Sequence, residues 1–60
     1  MVYKVGFQIV GLAHGEYMAE FDSECGSRND AQNRMLSEIS DLFAVSPNAI
    51  VVKYIRAEGE

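Results

Sequence analysis

Four carboxylates at alternate positions are the residues of this 60-residue chain most able to do chemistry: Glu16, Glu20, Asp22 and Glu24, with Met18 filling the gap. Alternate residues of a strand lie ~6.7 Å apart, close to the phosphate spacing of an extended nucleic-acid strand. The row suggests a DNA mimic that binds a basic protein, or a site for a hard cation, although the chain lacks an EF-hand calcium loop. We favour a third interpretation, in which outward charges protect a sheet edge from aggregation.

Other chemistry finds little support in the sequence. His14 lies in a glycine-flanked turn, and Cys25 lies at the opposite end of the strand that follows it, so the two do not form a nucleophile–base pair. One cysteine and one histidine cannot supply the four ligands of a zinc site. The glycines match neither a dinucleotide-binding motif nor a phosphate-binding loop, and one helix on three strands leaves little room for a carboxylate pair in a pocket. We therefore expect no enzyme, no cofactor and no metal.

The composition limits which classes of partner and which cellular compartment we expect. The net charge is −4, from nine acids and five dispersed bases, which argues against a nucleic-acid phosphate backbone and an anionic membrane as partners. No apolar run of ~18 residues and no signal segment is present, and a single unpaired cysteine suits a reducing compartment, so we expect a cytoplasmic protein. An apolar fraction of 48% in so short a chain, which has no disulfide to stabilise it, favours self-association.

Hydrophobic periodicity predicts strands over 2–10, 16–25 and 48–57, with a helix over 27–45. In the first two strands, alternation places these residues on one face: Tyr3, Val5, Phe7 and Ile9, beside Tyr17, Ala19 and Phe21. The helix presents a stripe at steps of three and four that should face the sheet: Ala31, Met35, Leu36, Ile39, Leu42 and Phe43. Ser27 is the expected N-cap, with Asn29 as the alternative.

The third strand alternates poorly, because both of its faces carry apolar residues. Its expected helix-facing residues are Ile50, Val52 and Tyr54, and its expected outward residues are Val51, Lys53 and Ile55. The chain 1–60 is thus predicted to be one α+β domain of β-β-α-β order. Its three-stranded, mainly antiparallel sheet has strand order 2-1-3, and the helix covers one face. All five sheet aromatics should lie on the covered face.

The uncovered sheet face is the expected working surface, since nothing else in the chain covers its scattered apolar residues. The candidate interface residues are Val10, Met18, Glu20, Asp22, Val51, Lys53 and Ile55. A second copy is the simplest partner, so we expect a homodimer formed through this face or through an edge strand. The predicted function is a small intracellular, non-enzymatic protein-binding or regulatory module, of the kind found among phage or bacterial accessory proteins. The alternative is an accessory protein associated with DNA or RNA.

Overall fold

A computed structural model describes residues 1–12 and 15–58 and has the predicted α+β architecture. Its elements are the strands β1 (Val2–Leu12), β2 (Gly15–Glu24) and β3 (Ile50–Ala57), the helix α1 (Arg28–Phe43) and a 3-10 turn (Pro47–Ala49). The sheet is antiparallel with strand order β2-β1-β3, so β1 is central and both of its neighbours are edge strands. The predicted order is confirmed.

The β1–β2 register is also the predicted one. Val5 lies opposite Phe21, Phe7 opposite Ala19, and Ile9 opposite Tyr17, so the apolar sides of both strands share one face. The strands extend further into the predicted turn than expected, because a register shift between Ile9 and Leu12 is accommodated by Gly11 at φ 78°. The predicted turn residue His14 lies outside the described residues.

Helix α1 begins at the predicted cap and ends earlier than predicted. The Ser27 side-chain oxygen accepts a hydrogen bond from the Asp30 N–H at 3.1 Å, which satisfies one of the free donors of the first turn. The helix stops at Phe43 because Ala44 adopts a left-handed conformation, with φ 54°. The Val45 N–H then bonds the Ser40 carbonyl at 3.1 Å, which closes the last turn.

The core lies between α1 and the covered sheet face. Its buried apolar residues are Tyr3, Val5, Phe7, Ile9, Ala31, Met35, Ile39, Ile50 and Ala57. The helical stripe is confirmed except at Leu42, whose side chain is 76% exposed. The last turn of α1 directs Phe43 onto the sheet instead, where its ring lies 5.0 Å from the ring of Tyr17. The prediction that Leu42 faces the core is therefore wrong.

Strand β3 contains a β-bulge that the sequence analysis missed. Tyr54 lies opposite Gly6 and Val52 lies opposite Phe7, so Lys53 is an extra residue between two adjacent pairs. Since side chains alternate between faces, one extra residue reverses the phase of every residue beyond it.

Two placements predicted for β3 are therefore wrong. Ile55 packs against the core, and Tyr54 lies on the face that α1 leaves uncovered. Ile50 and Val52 keep their predicted positions because they precede the bulge. The bulge thus accounts for Ile55, whereas Val51 is an apolar residue on the uncovered face.

Deletion of Lys53 should leave the fold intact. Without it β3 alternates regularly, so unfolding in urea should give a free energy within about 1 kcal/mol of the wild type. Deletion of Met18, an exposed residue of the other edge strand, is the matched control and should cost more than deletion of Lys53, because it moves either Tyr17 or the half-buried Ala19 and Phe21 to the wrong face. A large loss on deletion of Lys53 would show that the bulge is not where we place it.

Candidate functional site on the open sheet face

The open face is the sheet surface opposite α1, and its side chains lie in rows that run across the three strands. The pairing of β1 with both neighbours gives three rows: Asp22, Lys4 and Arg56; Glu20, Gly6 and Tyr54; and Met18, Gln8 and Val51. Each row has its β2 residue at one edge and its β3 residue at the other. The bulge creates the first two rows, because it turns Tyr54 and Arg56 toward this face.

The Tyr54 ring lies over Gly6 in the middle row. A Cβ atom at Gly6 would overlap the ring carbons, so the ring occupies the space that any other residue would fill. Glycine weakens a strand interior, and an aromatic ring packed across it restores part of the lost contact. The need for glycine at this position is therefore set by a residue of β3.

Glu20 accepts hydrogen bonds from two side chains of β3. The Tyr54 hydroxyl donates to Glu20 Oε2, and Arg56 Nη2 lies 3.2 Å from the same oxygen. The Arg56 guanidinium also lies 5.3 Å from the centroid of the Tyr54 ring, within cation–π range. Carboxylate, phenol and guanidinium form one network that spans the full width of the sheet. We call these three residues the Glu20–Tyr54–Arg56 network.

The network shifts the pKa values of its two weak acids, Glu20 and Tyr54. The hydrogen bond from Tyr54 lowers the pKa of Glu20, with the charges of Lys4 and Arg56 acting in the same direction against a desolvation effect. The bond to Glu20 raises the pKa of Tyr54, and desolvation and the Glu20 charge raise it further. A lowered acid pKa gives stability that is lost as pH falls through it. A raised tyrosine pKa gives stability that is lost as pH rises through it, so the network is complete between these limits.

Charge is divided between the two edges of the open face. The carboxylates belong to β2, whereas Lys53 and Arg56 belong to β3. Lys4 lies between them on β1, and its Nζ is 4.0 Å from the Asp22 carboxylate. Side chains of Asp22 and Arg56 are 64% and 61% exposed, so both retain contact area for a partner.

The third row is apolar at both ends. Met18 and Val51 are 66% and 40% exposed, and Gln8 between them is 9% exposed. A shallow depression of about 230 Å³ adjoins this row, lined by Gly6, Phe7, Met18, Ala19, Glu20, Lys53 and Tyr54. The face therefore combines exposed apolar groups with separated charges.

Four of the seven candidate interface residues lie on the open face as predicted: Met18, Glu20, Asp22 and Val51. Val10 lies within the register shift between Ile9 and Leu12 and has no paired residue in the sheet. Lys53 is exposed at the bulge, and Ile55 faces the other way. The sequence analysis missed Tyr54 and Arg56. The available signal was that omitting Lys53 places Ile50, Val52, Ile55 and Ala57 at alternate positions of the strand.

The described part of the chain offers few side chains suited to binding a metal ion or a small ligand. Among residues 1–12 and 15–58, no three His, Cys, Asp or Glu side chains are grouped so that they could hold a metal ion. Within the same residues, no helix is long and apolar enough to cross a membrane. Cys25 is half-buried, and its thiol donates to the Ser27 carbonyl at 3.3 Å.

Comparison with known proteins yields no relative: no family model, no curated protein and no solved structure matches the chain. The function must therefore be inferred from the geometry of the chain itself.

Substitution of Gly6 by alanine should return the pKa of Tyr54 toward its ordinary value of about 10, because the new methyl group displaces the ring from Glu20. Tyrosinate absorbance during an alkaline titration measures this, with Tyr54→Phe identifying which of the three tyrosines is involved.

Glu20→Gln should lower the pKa of Tyr54 in the same way, since it removes the anionic acceptor. Asp22→Asn should leave the titration of Tyr54 unchanged. An unshifted Tyr54 in both Gly6→Ala and Glu20→Gln would contradict the network.

Proposed function

We propose that this protein is a small non-enzymatic protein-binding module that pairs with a second copy of itself through the open face. The observation that supports this most strongly is the division of charge, with acids along the β2 edge and bases along the β3 edge. A surface of this kind complements its own copy when a two-fold axis brings opposite edges together.

The charges select one orientation of the two-fold axis. An axis parallel to the strands and passing beneath β1 places β2 of one copy over β3 of the other. Asp22 then faces Arg56 of the second copy, and Arg56 faces its Asp22. An axis perpendicular to the strands would place the two acidic rows over each other, which is unfavourable. Aligned packing of two twisted sheets at about 30° is compatible with the favoured axis.

The same axis brings the exposed apolar side chains together. Met18 of one copy lies over Val51 of the other, so both leave water on association. Lys4 lies near the axis and faces its own copy, but Asp22 of the same chain offsets its charge at 4.0 Å. The open face thus buries two apolar contacts and gains two pairs of opposite charge.

Neither sheet edge offers an equally good contact between copies. Antiparallel pairing of two β2 strands would set their acidic rows against each other, and like charges at opposed positions are destabilising. The β3 edge is interrupted by the bulge at Lys53, and Arg28 Nη1 already donates to the Ile55 carbonyl at 2.6 Å. The face remains the best surface for a second copy.

The size of the face limits the affinity. The longer extents of the molecule are 35 and 18 Å, which give a flat area of about 630 Å², below the ~800 Å² per partner of a standard interface. We therefore expect a dissociation constant on the order of micromolar. Charge pairing should make association weaker at high salt.

A charge swap tests the orientation. Asp22→Arg and Arg56→Asp each place like charges opposite one another across the interface, so each should weaken dimerisation by about tenfold. The double variant restores both pairs with inverted sign and should recover most of the affinity. Sedimentation equilibrium at low salt measures all three, and circular dichroism verifies that each variant is folded.

Failure of the double variant to associate more tightly than the single variants would refute the axis. A strict monomer at about 100 µM, well above the expected dissociation constant, would refute the dimer altogether.

One observation favours a second candidate function, the binding of single-stranded nucleic acid. Tyr54 is 42% exposed and lies beside Lys53 and Arg56, and an aromatic ring among basic groups is the usual stacking platform for a base. Two observations argue against this function: the Tyr54 hydroxyl already donates a hydrogen bond to Glu20, and Asp22 lies in the adjacent row. The nearby carboxylates would repel phosphates, so we rank this function below the dimer.

The mobility of single-stranded DNA and RNA should be unchanged at low salt by protein concentrations that give a full dimer. A shift that Tyr54→Ala abolishes and Tyr17→Ala does not would instead support nucleic-acid binding, because Tyr17 is equally exposed on the opposite face.

A further inference from the structure

A groove runs between α1 and the outer edge of β2, on the face opposite the proposed dimer contact. Its volume is about 390 Å³, and its walls are Phe21 from the strand and Ile39 and Leu42 from the helix. Glu38 and Asp41 lie at its rim. Leu42 is 76% exposed, the most exposed of the large hydrophobic residues in the described chain. An apolar groove bordered by carboxylates favours an apolar side chain whose neighbours are basic.

The strand beside the groove has free hydrogen-bonding groups along its outer side. The Cys25 N–H bonds the Met1 carbonyl at 3.0 Å, which makes Val2 and Glu24 a pair without mutual hydrogen bonds. Because the two kinds of pair alternate, the same holds for Asp22, Glu20 and Met18 of β2. The backbone N–H and C=O groups of these residues therefore point away from β1, toward an additional strand.

We propose that an extended segment of a partner protein, with alternating basic and aliphatic residues, binds here as a fourth strand antiparallel to β2. Its residues directly opposite Glu20, Asp22 and Glu24 share the open-face side, where lysine or arginine complements the carboxylates. The intervening residues point to the α1 side, where an aliphatic side chain beside Phe21 enters the groove. Backbone bonding supplies the orientation, and the alternation of charge and apolarity supplies the specificity.

Charge selects this occupant over a second copy of the chain. The candidate strand of a second copy, β2 itself, would bring four more acids to an edge that is already acidic. Nucleic acid is excluded at this edge for the same reason. A basic extended segment satisfies the backbone, the groove and the carboxylates together. The inference goes beyond the open-face dimer. The groove and the backbone edge of β2 lie beside the dimer contact, whereas Asp22 takes part in both, so a bound segment and a second copy share that carboxylate.

The test uses a peptide of about nine residues that alternates lysine and valine, with a control of the same composition in which the two residue types are separated into blocks. Titration into the isotopically labelled protein should shift backbone amide resonances of β2 and of residues 38–42 in a saturable manner. The block control should bind at least tenfold more weakly.

Methylated peptides test whether the segment adds as a strand. N-methylation at the lysines removes the N–H groups that face β2 and should abolish binding. The same number of methyl groups at the valines lies on the far side of the peptide and should have little effect.

Leu42→Asp tests the groove, and Asn33→Asp on an exposed part of α1 away from the groove is its charge-matched control. Both add one negative charge, so electrostatic attraction alone predicts tighter binding to each. We expect Leu42→Asp to weaken peptide binding by at least tenfold and Asn33→Asp to leave it unchanged or slightly tighter.

Four results would overturn the proposal: no saturable binding at millimolar peptide, equal binding of the block control, shifts confined to β3 or the open face, or equal effects of the two sets of methyl groups. Sedimentation of Leu42→Asp should match the wild type, so loss of peptide binding is distinguishable from loss of the dimer.

Discussion

The extra residue at Lys53 is the constraint on which the rest of the structure depends. Before it, Ile50 and Val52 point toward the helix, and after it Ile55 and Ala57 do the same, so both halves of β3 contribute to one core. If β3 retained Lys53 but had no bulge, either its first half or its second half would lie on the wrong face of the sheet. The small core of a 60-residue chain could not accept that loss.

The bulge also determines the chemistry of the open face. By reversing the phase of β3 it places an aromatic ring over Gly6 and a guanidinium within reach of Glu20. Without the bulge, the β3 edge of this face would carry Lys53 between Val51 and Ile55. With the bulge, the face carries opposite charges at its two edges, which is the property that makes it complementary to itself. The two sheet edges differ for related reasons, since β3 is bulged and bonded by Arg28, whereas β2 keeps its outward groups free of backbone partners in the sheet.

Much of the fold followed from sequence because its signals were local and consistent. The alternation of β1 and β2 predicted their register to the residue, and Ser27 marked the start of α1 correctly. The end of the helix was harder to predict, because Ala44 takes a left-handed conformation that is normally signalled by a glycine. Leu42 was misassigned because helical periodicity does not reveal where the sheet beneath a helix ends.

The site was less predictable than the fold, and the reason lies in β3. A period-two pattern assigns faces correctly only while no residue is inserted, so a bulge converts correct periodicity into wrong faces for Tyr54 and Ile55. Gly6 was a partial signal of this arrangement, because a glycine inside a strand indicates either a bulge or the close approach of another group. The structure shows both at one place: the partner strand bulges beside Gly6, and the Tyr54 ring approaches it closely.

The most direct test of this account is to locate the Tyr54 ring by nuclear Overhauser effects. The account predicts contacts from its ring protons to the α protons of Gly6, with those protons shifted upfield by the ring current, and contacts from the Ile55 methyl groups to core residues. Contacts from the Tyr54 ring to Met35 or Ile39, together with unshifted Gly6 α protons, would place the ring under the helix and contradict the bulge and the open face built upon it.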